Sequence, residues 1–185
     1  MLDVVAKIEN KCKKIKLILL DVDGVLTEGS IIFGESNQEL KIFNVQDGVG
    51  IKLAQAAGIQ IGIVTGRTSE VVKRRADELE IEILYQGQQD KIEAYEQIKN
   101  DFCLADDQIA YVGDDLNDIK LLQKVGLSFA VSDACNEVKE VVDYIVKRCG
   151  GRGAVREVVE FILKGQGKWP ALIVKYYGTK YGGEK

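Results

Sequence analysis

Leu17-Ile18-Leu19-Leu20-Asp21-Val22-Asp23-Gly24-Val25-Leu26-Thr27 decides the fold: four large aliphatic residues stop abruptly at two aspartates and a glycine. A short apolar run ended in this way reads as a strand of a parallel sheet, with the acids at its carboxyl end. The pattern recurs. Ile59–Val64, Ile81–Tyr85, Ile109–Val112, Leu127–Val131 and Tyr144–Val146 are further apolar, β-branched runs. Between them Gly48–Ala57, Ser69–Leu79, Lys91–Asn100, Asp115–Val125 and Asn136–Val142 carry helical patterns, with Asp47, Thr68 and Asp90 as caps and Gly58 and Gly126 as stops. This alternation predicts an α/β domain, a doubly wound, Rossmann-like parallel sheet whose ligands sit at the carboxyl ends of the strands.

One segment breaks the rhythm. Ser30–Phe33 and Glu39–Phe43 flank the polar turn Gly34-Glu35-Ser36-Asn37-Gln38, the signature of a β-hairpin. The insertion spans about 20 residues, well under the roughly 50 of a small domain, so it can be a flap or an oligomer contact and not a cap.

The chain has 185 residues, 46% hydrophobic and 29% charged, with net charge −4. At this size a single domain buries roughly 70% of its unfolded surface and needs no disulfide or metal to hold a core. We expect that domain to occupy residues 1–165, followed by a tail of unassigned role at 166–185. No apolar run approaches the ~18 residues of a membrane span, and the start lacks the apolar centre of a signal peptide, so the expected location is cytoplasmic. Cys12, Cys103, Cys135 and Cys149 are spaced too widely for a zinc ribbon or a redox pair and read as reduced fillers. Cys149 and Arg156 are one residue too far apart for the loop of cysteine phosphatases. Histidine is absent, which excludes the Ser-His-Asp triad, phosphohistidine chemistry and His-ligated metals.

What chemistry exists must run on carboxylates. Asp21 and Asp23 follow the first strand, Thr65-Gly66-Arg67 the second, and Gly113-Asp114-Asp115-Leu116-Asn117-Asp118 the fourth, while Lys91 opens the intervening helix. Strand polarity puts all of them at one sheet edge. Several carboxylates there repel one another unless a cation sits among them, and hard oxygen ligands without His or Cys point to Mg2+. Asp21, Asp23 and Asp114 form the metal set, with Asp115 and Asp118 orienting its waters. Asp21 is the candidate nucleophile. Asp23 lies on the same side of an extended segment, where repulsion from Asp21 should raise its pKa and suit it to general acid and base work. Thr65 and Gly66 offer donors to phosphate oxygens, and Lys91 a cation for charge that develops in transfer.

These residues, in this order, resemble the four motifs of the haloacid dehalogenase superfamily of phosphatases. Phe43-Asn44-Val45-Gln46-Asp47-Gly48, Thr65-Gly66-Arg67 with Arg75, Tyr85-Gln86-Gly87 and Gly150-Gly151-Arg152-Gly153-Ala154-Val155-Arg156-Glu157 narrow the resemblance to the 3-deoxy-D-manno-octulosonate 8-phosphate (KDO 8-phosphate) phosphatases, over roughly Ile15 to Gly165. The resemblance implies a capless Mg2+ phosphatase of lipopolysaccharide precursor biosynthesis. It also implies a homotetramer, hairpins at its centre, with a Gly-Gly-Arg-Gly tail that reaches a neighbour's site. It further implies substrate contacts from Asn44, Val45, Gln46, Asp47, Gly48, Gly66, Arg67, Arg75, Lys91 and Arg152. Glu80 departs from the family pattern, which has glycine there, and Lys168–Lys185 runs past the usual end. Similar enzymes act on nine-carbon, sialic-acid-type 9-phosphates, which the motifs do not separate from the eight-carbon substrate.

Other classes fit less well. A response-regulator receiver places its acidic pair before the acceptor strand, and here Asp114 and Asp118 come last. A phosphosugar mutase needs a helical cap, for which no segment is available. The acidic body, 16 basic and 26 acidic residues over 1–146, ends in a basic segment with nine basic and three acidic residues over 147–185. That segment reads either as a solvated helix or as one that meets an anion, in a neighbouring subunit's site; with no run of five or more Lys or Arg and an acidic total, nucleic acid is not the expected partner.

Overall fold

A computed structural model describes residues 8–35 and 38–178. In chain order the strands are β1 (Leu17–Leu20), β2 (Ile32–Phe33), β3 (Glu39–Leu40), β4 (Gln60–Val64), β5 (Ile83–Tyr85), β6 (Ile109–Gly113), β7 (Leu127–Ala130) and β8 (Tyr144–Ile145). Residues 8–12 are helical, and the helices that follow are α1 (Val45–Ala56), α2 (Glu70–Glu78), α3 (Lys91–Asp101), α4 (Ile119–Leu122), α5 (Asn136–Val141), α6 (Ala154–Gly165) and α7 (Trp169–Tyr177). Six strands form one parallel sheet in the order β5-β4-β1-β6-β7-β8. Every residue of β1 is buried, because both of its neighbours are strands and helices cover both faces. The chain goes to one side of β1 for β4 and β5 and to the other for β6, β7 and β8. The crevice beside β1 is therefore the topological switch point, where ligands of such sheets bind.

The fold is the doubly wound α/β sheet that the alternation predicts, with local differences. Asn44, not Asp47, caps α1, accepting from the Gln46 N–H at 2.8 Å. Ser69, not Thr68, caps α2, and Asp90 caps α3 as expected. The helix expected over Asp115–Val125 is a 3-10 turn at Leu116–Asp118 followed by the single turn of α4. There the Asp118 carboxylate accepts from the N–H groups of Asp114 and Asp115, and side-chain bonds of this kind compete with helix.

The larger difference is at the end of the chain, for which the sequence offers at most a solvated helix without bounds and the structure has two packed ones. α6 packs on α1 so closely that a Cβ on Gly50 would stand 3.0 Å from Cα of Arg156. The preceding Gly150 and Gly151 lie against the backbone of Gly24 and Thr27, where a Cβ on Gly150 would meet the Gly24 carbonyl oxygen at 1.7 Å. These glycines permit close approach rather than freedom. α7 follows on α6, with Trp169 buried beneath the cations of Arg156 and Lys164.

β2 and β3 form the expected antiparallel hairpin, pairing Ile32 with Leu40 and Phe33 with Glu39. Ser36 and Asn37 of its turn lie outside the described residues. Phe33 is 69% exposed and Ile42 66%. Among the described residues no second domain stands over the sheet edge, no helix is long and apolar enough to cross a membrane, and the four cysteines are free.

Candidate active site

The carboxyl ends of β1, β4 and β6 open into a cleft of about 280 Å³ lined by Asp21, Asp23, Thr65, Gly66, Arg67, Asp114, Asp115 and Asn117, with Gly29 at its edge. Its floor is a buried ion cluster. The Lys91 ammonium, on the first residue of α3, is ion-paired with Asp21 Oδ2 at 2.9 Å and donates to Asp118 Oδ1 at 2.7 Å and the Tyr111 hydroxyl at 3.0 Å. Tyr111 in turn donates to Asp118 Oδ1 at 2.6 Å. The other oxygen of Asp118 accepts from the Asp114 and Asp115 N–H groups, which fixes the loop after β6.

Ligand atoms of Asp21, Asp114 and Asp118 lie within 4.8 Å of one another. Burial pushes the Asp21 carboxyl up to about 6, opposed by Lys91 and reinforced by Asp118. It pushes Asp114 up to about 8, reinforced by Asp21 and Asp118. Burial depresses Lys91, yet Asp21 and Asp118 outweigh it and hold the ammonium above its usual range. One lysine thus does not balance the site. Asp114 Oδ1 is buried without a hydrogen-bond partner, as is Asp23 Oδ2. A buried carboxylate oxygen facing other carboxylates is a fit for a hard divalent cation. Gly24 keeps the space clear, since a Cβ there would stand 2.0 Å from Asp114 Oδ2.

Asp23 differs from expectation. Its partners are not Asp21 but Lys41, which is ion-paired with Oδ1, and Arg67, whose Nε is 3.6 Å from Oδ2. Glu39 joins the network, 3.5 Å from Lys41 and 3.2 Å from Arg67. The sequence reading missed Lys41, Glu39 and Asn117. The signal for two of them was there: in an extended strand Glu39 and Lys41 share one face, with Leu40 and Ile42 on the other.

The remaining residues expected at the substrate are not in the cleft. Val45, Gly48 and Arg75 line a second, more apolar groove of about 390 Å³ between α1, α2 and the end of α7, with Val49, Leu79, Tyr176 and Tyr177. Asn44 donates to the Gly151 carbonyl at 3.2 Å, and Gln46 accepts from Arg148. Asp47 is buried and accepts from the N–H groups of Gly153 at 3.3 Å and Arg156 at 2.8 Å. It therefore supplies the cap that Gly153, without a side chain, cannot give α6. Arg152 pairs with Glu28 of its own chain at 2.7 Å. Arg156 is held on α6 by Glu160 and Trp169.

The comparisons with known proteins decide the family. Over 166 residues the chain is 47% identical to 3-deoxy-D-manno-octulosonate 8-phosphate phosphatase of Escherichia coli (strain K12), covering 90% of this chain and 86% of that protein. The chain belongs to the KDO 8-phosphate phosphatase family. Residues 80–156 also match the haloacid dehalogenase-like hydrolase model. The family member from Moraxella catarrhalis, solved in complex with a magnesium ion, a phosphate ion and a KDO molecule, superimposes with a TM-score of 0.90 at 42% identity, covering 92% of this chain and 98% of that one. The Yersinia pestis member gives 0.86 at 42% identity, with 88% of each chain covered. As a member of the KDO 8-phosphate phosphatases this chain is a haloacid dehalogenase-type phosphomonoester hydrolase.

Proposed function

We propose that the cleft hydrolyses 3-deoxy-D-manno-octulosonate 8-phosphate to the free sugar acid and phosphate through an aspartyl phosphate on Asp21. The observation that carries the reading is the pairing of Asp21 with Lys91 beside the unpartnered oxygen of Asp114. Asp21, Asp23 and Asp114 would hold Mg2+, which supplies positive charge to the phosphoryl oxygens and keeps the carboxylates ionised. A carboxylate oxygen of Asp21 attacks phosphorus while the ester P–O bond breaks. Asp23, when protonated, gives its proton to the departing alkoxide. As the carboxylate it then takes a proton from water, whose oxygen attacks phosphorus and breaks the bond to Asp21. Phosphate leaves and Asp21 is regenerated. Lys91 balances charge at Asp21 throughout, and Thr65 and Gly66 donate to the phosphoryl oxygens. Asp115 and Asp118 order the surrounding loop.

Arg67, with Lys41 beside it, faces the sugar acid from the cleft rim. Val45, Gly48 and Arg75 reach substrate in the cleft of another subunit, in our reading of a homotetramer built around the hairpins. Exposed Phe33 and Ile42, together with Val45 at 79% exposure, support such a seam. The reading places the enzyme in the cytoplasm, in lipopolysaccharide precursor synthesis.

The test is phosphate release by the pure protein with Mg2+ from the eight-carbon 8-phosphate, a nine-carbon sialic-acid-type 9-phosphate and p-nitrophenyl phosphate. We expect the highest kcat/KM for the eight-carbon acid. A higher value for the nine-carbon acid overturns the substrate, and no release from any of the three overturns the reaction.

A further inference from the structure

We infer that Tyr111 is a positioning residue for the phosphoryl transfer, holding the Lys91 ammonium against Asp21 through a closed triangle with Asp118. The inference rests on the proposed role of Asp21.

β6 reads Ile109-Ala110-Tyr111-Val112-Gly113 and is buried along its whole length, so an aliphatic residue would suit position 111 on packing grounds. Instead a hydroxyl is carried into the core beneath the cleft. Its two partners are the ammonium of Lys91 at 3.0 Å and Asp118 Oδ1 at 2.6 Å, and Lys91 itself lies 2.7 Å from that same oxygen. With Asp21 Oδ2 ion-paired at 2.9 Å, the ammonium has three oxygens of the protein around it, one for each N–H it carries.

A lysine side chain is a point charge on a flexible four-carbon stem, and two acceptors leave it free to swing about the line joining them. The third acceptor removes that freedom. Tyr111 also takes up the Asp118 oxygen that would otherwise face Lys91 alone, so Asp118 stays aimed at the lysine while its other oxygen holds the loop of Asp114. The hydroxyl has no hydrogen bond to Asp21 and does not line the cleft, so it acts through its two partners, on Lys91 directly and on Asp118, which itself holds Lys91. A misaimed cation is a kcat defect, because Lys91 acts on charge that develops during transfer.

The experiment uses the full chain with Mg2+ and p-nitrophenyl phosphate, comparing wild type, Tyr111→Phe, Lys91→Met and the double variant, with Asp21→Asn as the control and thermal unfolding on each. Tyr111→Phe should lower kcat about 10-fold with KM within about twofold. On the Lys91→Met background the same change should cost less than about twofold, since the lysine it acts through is gone. An unchanged kcat in Tyr111→Phe overturns the inference, as does an equal loss on both backgrounds. A second measurement needs only the wild type: 15N NMR should show a slowly exchanging Lys91 ammonium, and a fast-exchanging one overturns the three-point hold. If Asp21→Asn keeps wild-type turnover, it is the proposed nucleophile that fails, whatever the Tyr111 series shows.

Discussion

The cleft at the sheet edge and the groove between α1, α2 and α7 both carry residues expected at the substrate, yet they are built in opposite ways. In the cleft the working groups are buried and engage one another: Asp21 is 5% exposed, Lys91 1% and Asp118 not at all. In the groove Val45, Val49, Tyr176 and Tyr177 are exposed, and Arg75 is occupied by Glu78 at 2.8 Å and by the ring of Phe43. A single chain completes the cleft, because buried charges must be paired or carry a cation before the fold is stable. It leaves the groove as open apolar surface, which another surface can finish. In the proposed reading, phosphoryl chemistry belongs to a preorganised centre, and part of the recognition of the sugar acid to a surface.

The largest effect should come from the cleft. Asp21→Asn removes the nucleophile and should lower kcat by at least about 10⁴-fold on every phosphomonoester, with the fold intact by circular dichroism. A loss confined to the sugar-acid phosphate would overturn Asp21 as the nucleophile, since an aryl phosphate needs that carboxylate equally.

Arg75→Ala tests the groove from the other direction. We expect KM for the sugar-acid phosphate to rise about 10- to 100-fold, the loss of one charged hydrogen bond, with p-nitrophenyl phosphate hardly affected. Mixing Arg75→Ala with Asp21→Asn subunits sharpens the comparison: mixed assemblies should recover activity where an intact cleft meets an intact groove. No recovery in confirmed mixed assemblies would place Arg75 with its own chain's cleft.

The unequal legibility of the two regions in the sequence has a physical cause. The cleft was readable because strand ends are punctuated: Asp21, Thr65 and Asp114 each follow an apolar run, and sheet topology alone brings them together. Six strands and five helices were legible for the same reason. α6 and α7 were not, because Gly150-Gly151-Arg152-Gly153 looks like a flexible lead when it is a close-packed one, with φ of +64° at Gly151 and +95° at Gly153. Asp47 was misplaced as a cap of its own helix because its partner, the start of α6, is 106 residues away along the chain. Long-range capping leaves no local pattern. Truncation before Gly150 would for this reason remove a core helix and unfold the domain rather than spare the metal site.

Metal and pH give a smaller effect, read in stability. Asp21 and Asp114 have folded pKa values raised to about 6 and about 8, against an unfolded value of roughly 3.9. Their contribution is fully present below the unfolded value and is lost as pH rises through about 6 and then about 8. Without metal the protein should therefore lose stability across that window, and Mg2+ should restore it. The Tm gain on adding Mg2+ should be a few degrees larger at pH 8.5 than at pH 5.5, measured by differential scanning calorimetry. An equal gain at both values would remove the carboxylate cluster as the metal site.

Arg152→Ala should have the smallest effect and bears most directly on which surface serves a neighbour. The Arg152 side chain is 66% exposed, and its only ion pair among the described residues is with Glu28, itself 40% exposed. Exposed pairs of this kind contribute roughly 0–1 kcal/mol, so Tm should move by a few degrees at most. The backbone around it is clamped by the contacts of Gly150 and Gly151 with Gly24 and Thr27, so the side chain can be removed without freeing the loop. If the guanidinium serves a neighbouring cleft, KM for the sugar-acid phosphate should rise severalfold while p-nitrophenyl phosphate is unaffected, and added salt should narrow the difference between variant and wild type. A Tm loss with no change in KM would mean that Arg152 only ties its loop to Glu28, and the groove with Arg75 would then be left to recognise the sugar acid without it.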